Sequence, residues 1–356
     1  MKKRLGIIFG GKSDEHEISI LSASSIIDAV DKSKYEVIQL GINKAGNWYL
    51  ITDDMKGISS LNDSRIKTLI PSSDSERGGA TSIKMGDLKD LLDFVFPVLH
   101  GPFGEDGTIQ GLFEMMDLPY AGCGVTSSAL SMDKIFTKEI WIRAGLPVCR
   151  HESVNIYDIE NNRDTVLKEI EISMGYPLFI KPANMGSSVG ITRAGNINEL
   201  INAVDEALKY DNRVIIEEEI RGRELETAVL GNNIVKAAEV GEIVAAGTFY
   251  DYESKYCDGS TKLFVPADIP DSKSEEIRKL AVKAYKALGG NGFARVDFFM
   301  EDETGRIYLN EMNTIPGFTE FSMFPSLWME AGLEYGQLIE RIIELGYERY
   351  NAKNNR

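Results

Sequence analysis

The chain is predicted to be an α/β protein of three lobes that opens with a doubly wound parallel sheet. Three observations predict this. Strand and helix patterns alternate through the first third, the order that yields a parallel sheet. The last third reads instead as strands in hairpin order with helices around them. At 356 residues the chain exceeds the roughly 250–300 at which a single hydrophobic core stops growing, so two or three domains are expected.

Each element follows from its local pattern. The apolar run at residues 4–9 (RLGIIF) ends at Gly10 and Gly11, a tight strand-to-helix turn. A helical pattern follows through Ile18, Leu21, Ile26, Ile27 and Val30. Residues 35–42 (YEVIQLGI) and 93–99 (DFVFPVL) read as strands, and the Ser- and Gly-rich residues 71–81 between them as an exposed loop. One helix is expected over about 127–144, stopped by Gly145 and Pro147. Residues 176–193 hold two β-rich runs around a Gly/Ser loop, which is a hairpin signal. A helix at about 197–210, a strand at 213–218 and more strands through 249 come next. Then follow a helix at about 272–288, strands at 292–300 and 306–311, and closing helices after Ser322. There is no internal repeat, and lobe boundaries fall near residues 123 and 221.

Composition narrows the function classes. The 55 acidic residues against 39 basic ones give a net charge of −16, which argues against a nucleic-acid or anionic-membrane surface. No apolar run approaches the roughly 18 residues of a spanning helix, and the apolar stretch after the basic Met1–Arg4 start is too short for a signal-peptide core. Cys123, Cys149 and Cys257 form no C-x-x-C pair, and His16, His100 and His151 are scattered. The expectation is a reduced, cytoplasmic protein without a Cys/His zinc cage.

Residues 6–13 match G-x-x-x-x-G-K-[ST], but Gly6 and the next three residues lie inside the predicted strand. No loop is left to wrap a phosphate, so the match is read as chance. Glu15 or Glu17 at the helix mouth either complements the helix dipole or faces a ligand ammonium. In the last third, Arg295 and Asp297 share one strand face, and so do Glu311 and Asn313. The turn EDETG would bring both pairs together in an antiparallel hairpin. Such a face is either a salt-bridged sheet surface or a set of Mg²⁺ and phosphate contacts. Lys181 precedes a Gly/Ser loop holding Ser187, which could be a plain turn or an anion cradle. Lys134 and Lys255 are further candidate phosphate donors. Glu217, Glu218, Glu219 and Ile220 leave a strand as a solvated charge run or a nucleotide hinge.

In combination these segments resemble the D-alanine–D-alanine ligase family of the ATP-grasp superfamily. FGGKSDEHEIS, VLHGPFGEDGTIQGLFEMMDLPYAGCGVTSSALSMDK, IKPANMGSSVGI, YDYESKY, FARVDFF and LNEMNTIPGFTEFSMFP occur in the family's order and cover nearly the whole chain. The resemblance implies a three-lobed ATP-grasp architecture in which two α+β lobes clamp ATP. Residues 1–122 would be an N-terminal Rossmann-like domain, 123–220 the central lobe, and 221–356 the C-terminal lobe with the metal site and closing loop. It implies that ATP phosphorylates the carboxylate of one D-alanine and that the amine of a second attacks the acyl phosphate. The dipeptide would supply peptidoglycan precursors.

The resemblance also implies roles. Asp297, Glu311 and Asn313 would hold two Mg²⁺ ions, which Mn²⁺ could replace, with Glu311 bridging. Lys134 and Lys181 would bind ATP phosphates, Lys255 the transferred phosphoryl, Glu217, Glu218, Glu219 and Ile220 the adenine, and Glu224 the ribose. Glu15 would anchor the first substrate's ammonium and His100 would lie beside its carboxylate. Arg295 would stabilise the tetrahedral oxyanion, and Gly317, Ser322 and Met323 would receive the second substrate's carboxylate. Glu15, Ser187 and Tyr256 correspond to a hydrogen-bonded trio that ties the lobes together when the loop around residues 250–262 closes. The Lys255-Tyr256 pair separates the chain from D-alanyl-D-lactate ligases, and Ser322-Met323-Phe324-Pro325 lacks the Arg-Tyr-Pro of D-alanyl-D-serine ligases. Phe324 stands where Tyr is common. A homodimer through the N-terminal lobe is expected. The alternatives are D-alanine–D-serine ligation, another ATP-grasp carboxylate–amine ligase, or a nucleotide-binding module.

Overall fold

A computed structural model describes residues 1–72, 79–186, 189–244 and 262–354. Ser187, Lys255 and Tyr256 lie outside the described residues, as do the middle of the loop expected at 71–81 and nearly all of the expected closing loop.

The first sheet grows from β1 (Lys3–Gly10), whose Leu5, Ile7, Ile8 and Phe9 are fully buried. Burial of such side chains contributes about 2 kcal/mol each. The strand runs through Gly10 without a loop, so the phosphate-loop match has no structural counterpart. Gly10 has φ +88°, and a Cβ there would lie 2.3 Å from the Ile42 carbonyl, so only glycine makes this turn into α1 (His16–Ala29). β2 (Tyr35–Ile42), β3 (Trp48–Ile51), β4 (Ala80–Ser82), the short α2 (Leu88–Leu91) and β5 (Phe94–Pro97) complete the sheet in the order β4-β3-β2-β1-β5. β2 and β5 flank β1 in parallel, whereas β3 and β4 add an antiparallel edge.

After α3 (Thr108–Met115), the helix expected over 127–144 is in fact two, α4 (Val125–Met132) and α5 (Lys134–Arg143). Asp133 makes the break: its carboxylate accepts from the N–H groups of Ile135 (3.1 Å) and Phe136 (3.0 Å) and caps a new helix. The middle sheet joins β6 (His151–Asn155), β7 (Leu178–Pro182), β8 (Thr192–Ala194) and β9 (Arg213–Glu218) in the antiparallel order β6-β9-β7-β8. It is backed by α6 (Ile156–Met174) and α7 (Ile197–Ala207), and the hairpin expected at 176–193 is the β7–β8 pair.

The third sheet runs β12-β11-β10-β13-β14, with β10 (Gly222–Leu230), β11 (Lys236–Val244), β12 (Lys262–Phe264), β13 (Phe293–Glu301) and β14 (Ile307–Asn313). It carries α8 (Asp271–Ala287), α9 (Met323–Glu330) and α10 (Tyr335–Asn354). One apolar core joins Phe9 and Phe96 of the first sheet to Phe293, Phe318, Phe324 and Leu338 of the third region. The middle sheet has a separate core around Leu178, Ile180, Leu200 and Val214. No described helix is long and apolar enough to cross a membrane.

Candidate active site

In a parallel sheet, ligands bind beyond the carboxyl ends of strands where the strand order reverses. Here β1 is that point, flanked by β2 and β5, and the residues following β1 and β5 include Glu15 and His100. Ser19 of α1 accepts from the Gly10 N–H (2.8 Å) and donates to the Val98 carbonyl, fixing the helix against both strand ends. Glu15 is buried at the N-cap of α1 without capping it. Its carboxylate faces two close backbone approaches: a Cβ added at Gly101 or Gly186 would lie 3.3 or 3.7 Å from Oε2.

A cleft of about 670 Å³ opens here, lined by Glu15, His100, Glu105, Lys134, Arg295, Glu311, Asn313 and the 314–317 segment. It gathers seven of the expected site residues: Glu15, His100, Lys134, Arg295, Glu311, Asn313 and Gly317. Lys134 is the first residue of α5 because Asp133 caps that helix, and its Nζ donates to the Met185 carbonyl.

The hairpin expected around EDETG is the β13–β14 pair, with Arg295 opposite Asn313 and Asp297 opposite Glu311. β10 extends the row by placing Glu226 opposite Asp297. Three carboxylate residues thus sit abreast on three strands. Arg295 Nε lies 3.0 Å from Glu226 Oε2, and the guanidinium donates twice to Asp297, each bond 2.7 Å. Asn313 Nδ2 also donates to Asp297 (2.8 Å). Of the two readings the sequence left open, the structure contains the salt bridge. It also retains the chemistry that Mg²⁺ requires: one or two protein carboxylates, with phosphate and water oxygens completing the shell. Among the described residues no cluster of three or more His, Cys, Asp or Glu side chains is arranged for a metal. Asp297 and Glu311 with the Asn313 amide therefore fit an ion bound together with phosphate, and not an all-protein cage.

Glu105 and Glu226 escaped the sequence reading. Glu105 accepts from the N–H groups of Gly101 (2.9 Å) and Ile315 (2.8 Å), while His100 Nδ1 bonds the Ile315 carbonyl (2.8 Å). The two side chains of the first lobe thereby grip both polar groups of Ile315 in the segment after β14. Burial, aided by the Glu15 charge, pushes the Glu105 carboxyl up to about 8 against those two N–H bonds and Arg295. His100 is 4% exposed, with Nε2 3.4 Å from Ser22 Oγ, so its nearest partners are protein groups. Glu105 was present in the HGPFGEDG segment, but only the fold shows what it holds. Glu226 was visible by the i, i+2 rule from Glu224, with which it shares a face of β10.

Other expected residues lie outside this lining. Glu217 and Lys181 pair at 2.7 Å on adjacent strands, both largely buried. Glu218 pairs with Arg150 (2.8 Å), and Glu219 with Arg193 (2.6 Å) and Arg221 (3.3 Å), so these acids are anchored and not merely solvated. Ile220 links β9 to β10, and Glu224 is half-buried in β10. Ser322 Oγ accepts from the Thr319 N–H (3.0 Å) and shares a bond with Thr319 Oγ1 (2.7 Å). Met323 is buried, leaving its backbone N–H at the start of α9 as the polar group it can offer. Phe324 is fully buried, with its ring 5.3 Å from Phe293 and 5.6 Å from Phe318, so the position where Tyr is common belongs to the core.

Known proteins resemble this chain over nearly its whole length. The models for the D-ala D-ala ligase N-terminus and C-terminus match residues 4–123 and 140–344. The chain is 50% identical over 355 residues to the D-alanine–D-alanine ligase of Thermoanaerobacter sp. (strain X514), covering 99% of this chain and 98% of the relative. It is 45% identical to that of Acetivibrio thermocellus over 365 residues, covering 98% and 97%. Among solved structures, the VanG D-Ala:D-Ser ligase from Enterococcus faecalis superposes with TM-score 0.85 at 37% identity, covering 97% of this chain and all of that one. The D-alanine–D-alanine ligase from Coxiella burnetii superposes with TM-score 0.83 at 34% identity, covering 99% and 96%.

Proposed function

The chain belongs to the D-alanine–D-alanine ligase family, and on that premise we propose that it joins two D-alanines into D-alanyl-D-alanine for peptidoglycan synthesis. The enzyme is an ATP-dependent, ADP-forming ligase of the ATP-grasp fold. The observation that carries the reading is the convergence of Glu15 and His100, Lys134, and Arg295 with Glu311 and Asn313 on one cleft.

In this reading the Glu15 carboxylate receives the ammonium of the first D-alanine, with His100 beside its carboxylate. That carboxylate attacks the γ-phosphorus of ATP, giving D-alanyl phosphate and ADP. The free amine of the second D-alanine then adds to the acyl carbon. The tetrahedral species expels phosphate, and the amine proton leaves as the amide forms. No protein nucleophile is needed; positioning and charge neutralisation do the work.

Arg295 faces the oxyanion, held from the other side by Glu226. Lys134 and Lys181 take the phosphates, and Lys255 the transferred group. Glu217, Glu218, Glu219 and Ile220 flank the adenine, and Glu224 the ribose. Gly317, Ser322 and Met323 receive the second carboxylate. Asp297, Glu311 and Asn313 would hold two magnesium ions, or manganese in their place, which when bound neutralise phosphate charge. Glu15, Ser187 and Tyr256 would close the site against water. The same reading includes the lobe boundaries near 123 and 221, a cytoplasmic location and a homodimer through the N-terminal lobe.

Likeness to the VanG D-Ala:D-Ser ligase favours a second reading, in which D-serine is the second substrate. Phosphate release from ATP across D-amino acids tests the activity: D-alanine alone should sustain turnover, and no stimulation by D-alanine refutes the assignment. Glu311→Ala should abolish turnover and weaken Mn²⁺ binding measured by electron paramagnetic resonance; intact Mn²⁺ binding would remove Glu311 from the metal site.

A further inference from the structure

Beside the cleft, two buried lysines share one buried carboxylate. Glu217 is 3% exposed; its Oε2 lies 2.7 Å from Lys181 Nζ and its Oε1 3.0 Å from Lys138 Nζ. Lys138 is 1% exposed and sits on α5 one turn after Lys134, so the two lysines project from one helix face. Its other polar neighbour is Cys149, with Sγ 3.6 Å away.

An isolated Lys181–Glu217 pair would be electrically neutral. Its ammonium would then be compensated at 2.7 Å before any phosphate arrived. Lys138 changes the count to two cations for one anion. Burial alone would push the Glu217 carboxyl up, but the charges of Lys138 and Lys181 hold it well below the usual carboxylate range. Burial likewise works against a charged Lys138, and the Glu217 charge more than offsets it. The cluster therefore keeps one uncompensated positive charge in a largely water-free place, where electrostatic interactions reach further than in solvent.

We propose that Lys138 is a positioning residue for nucleotide binding: it holds Glu217 so that Lys181 is fixed in place without being neutralised and keeps its charge for the nucleotide phosphates. This rests on the assignment of Lys181 to those phosphates.

Titration calorimetry on the full chain with ADP and, separately, adenosine tests it, using Lys138→Met, Lys138→Arg and Lys181→Met. Lys138→Met is expected to weaken ADP on the order of tenfold, the effect of one unit charge about 10 Å from an anion at an effective dielectric of about 20. Adenosine should bind within twofold of wild type, because it carries no phosphate. KM for ATP should rise while kcat at saturating ATP changes less. Lys138→Arg, which retains the charge, should restore most of the ADP affinity.

Equal loss of ADP and adenosine would mean a general disturbance of the hinge and would overturn the proposal. If Lys138→Met does not fold, Lys138→Arg decides: ADP affinity within threefold of wild type supports the proposal, and a tenfold loss overturns it. Lys181→Met separates the two layers. If it weakens ADP and Lys138→Met does not, the positioning role alone falls. If it leaves ADP unchanged, the phosphate assignment falls and the proposal with it.

Discussion

Glu105 couples the stability of the fold to pH, and Glu105→Gln isolates that coupling. The carboxyl titrates near 4.5 in an unfolded chain and near 8 in the folded one, because burial and the Glu15 charge oppose ionisation. Between these values the folded protein keeps a proton that the unfolded chain has released. Its stability must then fall as pH rises, fully present below about 4.5 and lost above about 8. Glutamine resembles the protonated acid in shape and does not titrate. From pH 5.5 to 7.5, two pH units inside this window, the stability of the variant relative to wild type should grow by about 2.7 kcal/mol. Urea unfolding followed by tryptophan fluorescence at several pH values measures the difference, and other titrating groups largely cancel between the two proteins. A difference that stays flat, or shrinks with rising pH, would refute the reasoning. It would mean that the N–H bonds from Gly101 and Ile315 outweigh burial and hold the group ionised.

Two further perturbations probe the neighbouring contacts. Glu226→Gln removes the charge that holds Arg295 from the side of β10; kcat should fall at least about tenfold with ADP affinity unchanged, and an unchanged kcat would detach Glu226 from the reacting groups. Gly241→Ala places a Cβ 2.3 Å from Met323 Sδ; the thioether can shift, so a loss of about 1–3 kcal/mol in thermal unfolding and a raised KM for the second amino acid are expected. Wild-type KM in that variant would show that the start of α9 does not form the second pocket.

What the sequence made legible was whatever depends on period and punctuation. The run RLGIIF ending in two glycines specified β1 and its turn, because a buried parallel strand is a short apolar run and the turn accepts only glycine. The i, i+2 pairs in FARVDFF and LNEMN predicted cross-strand neighbours, and Arg295–Asn313 and Asp297–Glu311 are such neighbours. The break at Asp133 was missed because apolar periodicity runs through it, although an Asp before a helical pattern is a cap signal. α6 went unrecognised: few of its side chains are buried, among them Ile159, Leu167 and Ile170, and Asn162 interrupts it with non-helical angles. Its capping box at Asn155 and Asp158 was the readable mark. The grip of Glu105 on Ile315 spans 210 positions of chain, and the pairing of Lys138 with Glu217 crosses from a helix to a strand. Neither leaves a local pattern, because each exists only once elements distant in the chain have packed together.

An acidic chain that uses an anionic nucleotide needs its positive charge concentrated. Lys134 and Arg295 at the cleft, with Lys181 and Lys138 beside it, provide that within a protein of net charge −16. The proposed site draws on Glu15, Glu105, Glu226, Asp297 and Glu311, with Glu217, Glu218, Glu219 and Glu224 assigned to the nucleotide. Whether the cleft makes a D-alanine dipeptide is tested most directly by incubating the full chain with ATP, Mg²⁺ and an equal mixture of D-alanine, D-serine and D-lactate, then weighing the product. D-Alanyl-D-alanine as the dominant mass, formed in step with ADP, is the predicted result. A dominant D-alanyl-D-serine mass, or ADP without any dipeptide, would contradict it.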